Sequence, residues 1–233
     1  LLDIDKAIRI IRKTEKDEDV VPNLMKGFDI DEIQANFMKH LVVFRNGNGK
    51  VVTFTLQDGL SVMEFYKQFM KGLEEIGSPT AINVRAQEFY DPIDFDKDTK
   101  HHHYDKEALQ LWHQNHLFAY EALRGFLSGF RGKVDGPAYY FGTMDLTGIV
   151  YSGESAPFGM NKPISDHAFD ERYFECGFWP GDVNYPRPAF YGLPYPFISD
   201  IKGNDHLIRP AMAIFKPEKK EFFLTLEDAL AYD

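Results

Sequence analysis

Apolar residues that recur every three or four positions predict the helices of this chain. The stretch Ser61–Ile76 carries such a stripe, and Gly77–Pro79 ends it. Asp105 has the residue type of a helix N-cap, and the apolar face after it continues to about Phe130. Asp3–Arg12 shows the same spacing. The helix that follows Asp105 is predicted to be the longest of these.

Alternating apolar and polar positions predict strands, most clearly in two hairpins. In the first, Phe37–Phe44 and Lys50–Leu56 flank Asn46–Gly49, whose Asn-Gly pairs accept the positive φ angles of a tight turn. In the second, Met212–Leu226 turns at Pro217. Both patterns predict antiparallel strands joined by short turns.

The other predicted strands are less regular. Ala81–Phe89 predicts one strand and Ala138–Tyr151 predicts a pair. Glu154–Pro210 is rich in Gly, Pro and aromatic residues, which predicts mostly loop with short strands. The sequence therefore predicts an α+β fold, with mainly antiparallel sheets built from hairpins and helices packed on one side.

Two segments of the chain resemble each other. Val43–Arg45 and Thr55–Leu60 parallel Ile214–Lys216 and Thr225–Leu230, and the turns between them differ in length by one residue. One interpretation is duplication of a unit in which the second strand of a hairpin runs into a helix capped near the aspartate. The other is that any hairpin followed by a helix needs this pattern. Short matches arise easily, so both interpretations stay open.

The length of 233 residues fits one large domain or two small ones. We predict a single α+β domain over residues 1–233. Under the duplication hypothesis it has two pseudo-symmetric halves, about 1–90 and 134–233, joined by the long helix 105–130.

Composition excludes several classes of partner. The formal net charge is −10, and an acidic surface repels nucleic-acid phosphates. Cys176 is the single cysteine, so no intramolecular disulfide forms, which fits a reducing compartment. No apolar run approaches the roughly 20 residues that span a bilayer, and no signal peptide is visible. We expect a cytoplasmic protein whose partner, if it has one, is a small molecule and not a nucleic acid or a membrane.

Histidines are the first candidates for chemistry. His101–His103 lie beside the polar loop 94–100, but three consecutive side chains point in different directions, which favours an exposed helix entry over a metal site. His113 and His116 have a spacing that can chelate a metal, yet His116 falls on the apolar stripe, which favours a hydrogen-bonded core histidine. Cys176 has an apolar context, which favours packing over a catalytic thiol.

The segment Phe178–Phe197 combines aromatic rings with prolines. Prolines stiffen the backbone and remove ladder donors, which favours a long loop. Such a loop either lines a small-molecule pocket or covers the core. We expect Trp179 to be mostly buried, with a bonded indole N–H and with Tyr191 or Tyr195 in contact with it.

No motif predicts a cofactor or a metal centre. The chain has no Gly-rich phosphate loop, nucleophile elbow, zinc-ribbon spacing or His-Glu-x-x-His pattern. We therefore predict no cofactor and no metal site. The sequence does not decide whether the protein is an enzyme.

Several short motifs follow one another along the chain. They are Phe95–His101, Tyr104–Asp105, Met144–Leu146, Tyr151–Gly153, Gly177–Gly181, Pro188–Tyr191 and Tyr195–Pro196. In this order they resemble an uncharacterised bacterial family called domain of unknown function 5996, from about Phe28 to the end of the chain. The family has no established activity, so the resemblance implies a grouping and no function.

Some side chains in these motifs have the chemistry to bind or react. They are His101, Tyr104, Asp145, Ser152, Trp179, Tyr191 and Tyr195. Our leading hypothesis is a protein that binds a small molecule in an aromatic, Pro-rich cleft walled by residues 179–197. The alternative is a metal-dependent or acid–base enzyme, of hydrolase type, that uses His101 and Asp145.

Overall fold

The computed structural model describes residues 19–29, 40–86, 91–159 and 163–232, together with six residues before position 19. The chain forms two compact units, Leu1–Leu111 and Trp112–Asp233. Both contain helices, and all strand pairs among the described residues are antiparallel. The protein therefore has the α+β fold that the sequence predicts.

The first unit contains a hairpin and helices. Its described elements are α1 (Val20–Phe28), β1 (Leu41–Arg45), β2 (Val51–Thr55) and α2 (Val62–Glu75), and the long helix α3 (Lys106–Ser128) begins in it. Strands β1 and β2 pair from Leu41 opposite Thr55 to Arg45 opposite Val51. The predicted hairpin and both predicted helix positions are thus confirmed.

Local side-chain bonds fix where the two long helices begin. Ser61 and Glu64 form a reciprocal capping box at the start of α2, because each side chain bonds the backbone N–H of the other. The Asp105 carboxylate accepts the N–H of Ala108 at 2.8 Å. Asp105 is therefore the N-cap of α3, as its residue type predicts.

The second unit is built on a six-stranded antiparallel sheet. Its elements are β3 (Val134–Tyr140), β4 (Asp145–Ser155), α4 (Pro163–Ala168), β5 (Glu171–Trp179), β6 (Ala189–Tyr195), a 3₁₀ turn (Asn204–Leu207), β7 (Ile214–Lys216), β8 (Glu221–Thr225) and α5 (Leu226–Leu230). The strand order is β3-β4-β5-β6-β8-β7. This sheet includes the predicted strand pair and the predicted final hairpin.

The core of the second unit lies between one face of this sheet and α3. Leu123 and Leu127 of α3 pack against Leu146, Cys176 and Phe178 of the sheet. Phe178 is fully buried. Because side chains alternate along a strand, the even-numbered residues of β4, β5 and β6 face α3 and the odd-numbered residues face away.

The prediction of mostly loop over Glu154–Pro210 is wrong in its central part. β5 and β6 are inner strands of the sheet and pair along residues 173–179 and 189–195. Pro194 is tolerated because β6 pairs with β8 only from Ala189 to Gly192, so the missing N–H of Pro194 lies beyond that ladder. The proline content of this segment therefore led to a wrong prediction of loop for these two strands.

One further strand prediction is wrong where the residues are described, and other predictions lie partly outside the described residues. Residues 81–86 form no strand, and the amide of Phe95 bonds the Val84 carbonyl instead. Most of the predicted helix Asp3–Arg12 and residues 37–39 and 87–89 of two predicted strands lie outside the described residues. Isolated extended residues form a strand only where a partner strand supplies a ladder.

The hairpins of the two units share one register. Val43 pairs with Thr53, and Ile214 pairs with Phe223. These are the positions that the internal sequence similarity matches. Agreement of register is required by a duplication and is also compatible with two independent hairpins, so the pseudo-symmetric halves stay a prediction.

The helices that follow the two hairpins begin differently. In the second unit Thr225 is itself the N-cap and accepts the N–H of Asp228. In the first unit the chain continues past Thr55 and Asp58 to the cap at Ser61. Each cap lies three residues from the aspartate, Thr225 before Asp228 and Ser61 after Asp58, so the two helices begin at different positions of the matched segments.

Substituting alanine for two helical glycines is expected to change the stability of the protein in opposite directions. A Cβ on Gly72 would lie 2.4 Å from the buried ring of Phe44, whereas a Cβ on Gly125 would meet nothing within 4 Å. Gly72→Ala should destabilise the protein by about 1–2 kcal/mol, since overpacking outweighs the gain in helix propensity. Gly125→Ala should stabilise it by up to about 1 kcal/mol. Urea denaturation measures both, and equal effects of the two changes would contradict this packing.

Candidate functional site

The start of α2 holds the histidine segment of the first unit in place. The amide of Val62 donates to the carbonyl of His101 at 3.0 Å, and the amide of Met63 donates to the carbonyl of Asp98 at 2.9 Å. The first amides of a helix have no partner within the helix. The segment 98–101 therefore supplies the missing acceptors and gains a fixed position.

Asp98 orients the ring of His101. Its Oδ1 accepts the amides of Lys100 and His101, each at 3.1 Å, and its Oδ2 lies 2.8 Å from Nδ1 of His101. Burial raises the pKa of Asp98, which is 5% exposed, but the hydrogen bonds from His101 and Lys100 outweigh burial and place the pKa below its ordinary value. The carboxylate keeps a proton on Nδ1, which leaves Nε2 of His101 to accept a hydrogen bond or a proton.

Two further contacts hold the end of this segment. Asp58 lies 2.9 Å from Nδ1 of His103 and accepts the amide of Tyr104 at 3.0 Å. The Tyr104 hydroxyl lies 2.9 Å from Nδ1 of His40. Burial, followed by the charge of Lys106, lowers the pKa of His40, so this buried ring is neutral at neutral pH.

A pocket of about 390 Å³ lies beside the histidine segment. Its apolar lining is Leu56, Leu60, Val62 and Phe65, and its polar lining is Gln57 and the continuous run Lys100–Tyr104. The predicted site residues His101 and Tyr104 both belong to this lining. An apolar pocket with a few oriented polar groups has the usual form of a small-molecule site.

A second cluster lies on the face of the six-stranded sheet that is turned away from α3. The Tyr191 hydroxyl lies 2.6 Å from Asp145 Oδ2, 2.6 Å from Thr147 Oγ1 and 3.0 Å from Glu175 Oε1. Thr147 also donates to Asp145 at 2.7 Å, and Thr143 bonds the same carboxylate. The structure thus brings the predicted residues Asp145 and Tyr191 together.

A glycine makes this second cluster possible. Gly177 pairs with Tyr191 on one side and with Thr147 on the other. A Cβ at Gly177 would lie 2.3–2.4 Å from the end of the Tyr191 ring. The ring therefore crosses β5 at the one position without a side chain and reaches β4.

Two groups of this cluster, Glu175 and Tyr191, have raised pKa values. Burial raises the pKa of Glu175, the bond from Tyr191 opposes it, and the charges of Asp145 and Glu221 add to the rise. Burial, together with Glu175 and Asp145, also raises the pKa of Tyr191. Glu175 therefore holds a proton more strongly than an exposed glutamate does.

Trp179 is partly buried but is not part of the core of the second unit. Its neighbour Phe178 points into the core, and Trp179 is half-buried on the opposite face of β5. Its ring stacks on Tyr185 at 5.9 Å, with Lys219 Nζ 5.3 Å from its centre. Phe178 fills the core instead of Trp179, because the two residues lie in a regular strand, where only one of two successive side chains faces the core.

Tyr195 belongs to another part of the sheet. Its hydroxyl donates to the Ala156 carbonyl at 2.6 Å, and its ring stacks on Tyr173 at 5.2 Å. With Phe158 and Phe197 it lines a second pocket, of about 400 Å³, which also contains Lys220. Tyr195 is therefore separated from the Asp145 cluster and is held by a backbone bond.

Ser152 has a local role. Its hydroxyl donates to the Arg172 carbonyl at 3.1 Å and accepts the amide of Glu154. The predicted site residues of the second unit therefore fall in separate places: Asp145 and Tyr191 in one cluster, and Ser152, Trp179 and Tyr195 each with other partners.

Sequence reasoning missed several members of both clusters. In the first unit these are His40, Asp58 and Asp98, and in the second unit Thr147 and Glu175. Asp98 could have been found, because an acid three residues before a histidine reaches its ring when the chain turns. The others come from elements that only the tertiary structure brings together.

Two residues follow their expected structural roles. His116 is buried, and its Nδ1 lies 2.8 Å from the Trp112 carbonyl. Cys176 is buried, bonds the Gly148 carbonyl, and has a pKa that burial raises to about 11. A thiol with such a pKa is a poor nucleophile at neutral pH. Within the described parts of the chain, no group of three His, Cys, Asp or Glu residues is placed to hold a metal ion.

Comparison with known proteins gives the chain a family. It belongs to a family of unknown function, DUF5996, whose model matches residues 21–233. No curated protein and no solved structure shows significant similarity to it. Among the described helices, none combines the length and the apolar character needed to cross a membrane.

The raised pKa of Glu175 predicts that replacing its carboxyl group by an amide stabilises the protein in a pH-dependent way. The unfolded carboxyl ionises near 4.5, whereas the folded one ionises only at higher pH. Above 4.5 the unfolded state loses its proton first, so wild-type stability falls as pH rises. Glu175→Gln should therefore be more stable than the wild type at pH 7, with a difference that disappears below about pH 4.5.

Chemical denaturation between pH 4 and pH 8 measures this difference. Glu121→Gln is the control, because Glu121 is exposed on α3 in the same unit. A wild type that is at least as stable as Glu175→Gln at pH 7 would show that folding does not raise the pKa of Glu175.

Proposed function

We propose that the protein binds a small organic molecule in the pocket of the first unit, with Nε2 of His101 in a hydrogen bond with it. The observation that carries this proposal is the contact between the buried Asp98 carboxylate and the His101 ring at 2.8 Å, beside a pocket of about 390 Å³. A ring held in one orientation contributes less entropy loss on binding than a mobile one.

Residues outside the pocket lining hold its polar residues in position through hydrogen bonds. Asp98 and Asp58 hold the rings of His101 and His103, and α2 holds the backbone. Specific sites depend on such support, because polar groups must be in position before the ligand arrives. The apolar lining from β2 to α2 supplies the surface that a ligand would bury.

This location replaces the cleft that the sequence predicted. Residues 189–195 form a strand, so the Pro-rich segment does not wall a cleft as a loop. The pocket beside Tyr195 has aromatic walls, but the Tyr195 hydroxyl is already bonded to the Ala156 carbonyl. It offers fewer oriented polar groups than the pocket of the first unit, which is why we favour the latter.

Binding is tested with benzoate, butyrate and benzyl alcohol on the full chain. Saturable chemical-shift changes should appear at His101 and in residues 56–65, with dissociation constants of about 1 mM or lower. Gln57→Trp should abolish them, since Gln57 is an exposed residue of the lining. Gln68→Trp, on an exposed position of α2 outside the lining, should not. Failure of all three probes to bind, or equal binding in both variants, would refute the proposal.

A second candidate function is acid–base catalysis. The specific observation is again the Asp98–His101 pair, since a carboxylate that holds Nδ1–H leaves Nε2 as a general base. If the protein is such an enzyme, it should hydrolyse 4-nitrophenyl acetate, and Asp98→Asn should lower the rate by about 10-fold or more through the wrong tautomer. Equal rates in wild type and Asp98→Asn, with folding unchanged, would remove this candidate.

A further inference from the structure

An entirely apolar pocket adjoins the histidine-lined pocket. It has a volume of about 350 Å³ and is lined by Val62, Phe65, Tyr66, Phe69, Ile82 and Phe95. Val62 and Phe65 line both pockets, so the two share a wall formed by the first turn of α2. One pocket therefore presents polar groups and the next presents none, along one side of the same helix.

The polar pocket also contains a cation. Lys100 is in its lining and has no ion-pair partner among the described residues. The nearby carboxylates of Asp98 and Asp58 are bonded to histidine rings and to backbone amides. A cation of this kind is suited to a carboxylate from a ligand.

We propose that the ligand of this site is an amphipathic carboxylate, whose acid group lies at Lys100 and accepts a hydrogen bond from His101 after Nε2 has taken up a proton, and whose unbranched tail lies against Phe69 and Ile82. This inference rests on the proposed function, since it names the ligand class of the same site. A tail that leaves water for the apolar pocket gains affinity with each methylene group. A head group alone fills only the polar pocket.

A chain-length series tests the tail. The full chain is titrated with butyrate, hexanoate and octanoate below their micelle concentrations. The dissociation constant should fall by about three- to fourfold for each added methylene, which is the transfer free energy of that group expressed as affinity. Ile82→Trp should flatten this slope and leave butyrate binding unchanged, because Ile82 lines only the apolar pocket.

Matched variants separate blocking from misfolding. Ile82 is 42% exposed and Val51, on β2 and outside both linings, is 50% exposed. Val51→Trp should retain the wild-type slope, and Ile82→Gln should reduce it without adding bulk. Lys100→Gln should weaken all three carboxylates by about fivefold and leave hexanol binding unchanged.

The outcomes distinguish the two proposals. If none of these compounds nor benzoate binds, the proposed function fails and this inference fails with it. If butyrate binds and affinity does not change with chain length, the binding site stands and the amphipathic ligand is refuted. The amphipathic ligand is also refuted if the dependence of affinity on chain length persists in Ile82→Trp. It is likewise refuted if Lys100→Gln leaves the affinity for carboxylates unchanged.

Discussion

The first amide groups of α2 have no partner within the helix, and the structure of the first unit depends on the acceptors that other residues supply to them. A helix leaves its first amides without internal partners, and burying them unbonded would cost about 1–3 kcal/mol each. Ser61 satisfies one, and the carbonyls of Asp98 and His101 satisfy two more. A segment distant in sequence is thereby fixed against the helix, and its side chains acquire defined directions.

From that backbone contact the chemistry of the site follows. With the chain held at Asp98 and His101, the carboxylate of the first reaches both the amide and the ring of the second. The tautomer of His101 is then set by its partner, as it is in many sites where a carboxylate supports an imidazole. The pocket beside it is lined by the same helix turn that anchors the segment.

In the second unit, the polar cluster on the sheet depends on one strand position that has no side chain. Its sheet has one face covered by α3 and another that carries the cluster of Asp145, Thr147, Glu175 and Tyr191. Gly177 opens the path by which the Tyr191 ring crosses β5. This gives a physical reason for the glycine in the motif Gly177–Gly181, independent of any ligand.

The sequence by itself determined the fold class, the two hairpins, α2, α3 and the cap at Asp105, because these depend on local periodicity, turn residues and short-range hydrogen bonds. It also singled out His101, Tyr104, Asp145 and Tyr191 through their motifs. Only the tertiary structure decided that Glu154–Pro210 contains two inner strands and that Phe178 is buried, not Trp179. Only the tertiary structure joined Asp98 to His101 at the pocket and Glu175 to Tyr191 on the sheet. These outcomes depend on strand neighbours and on which face is covered, and such long-range pairings leave no periodic signal in the chain.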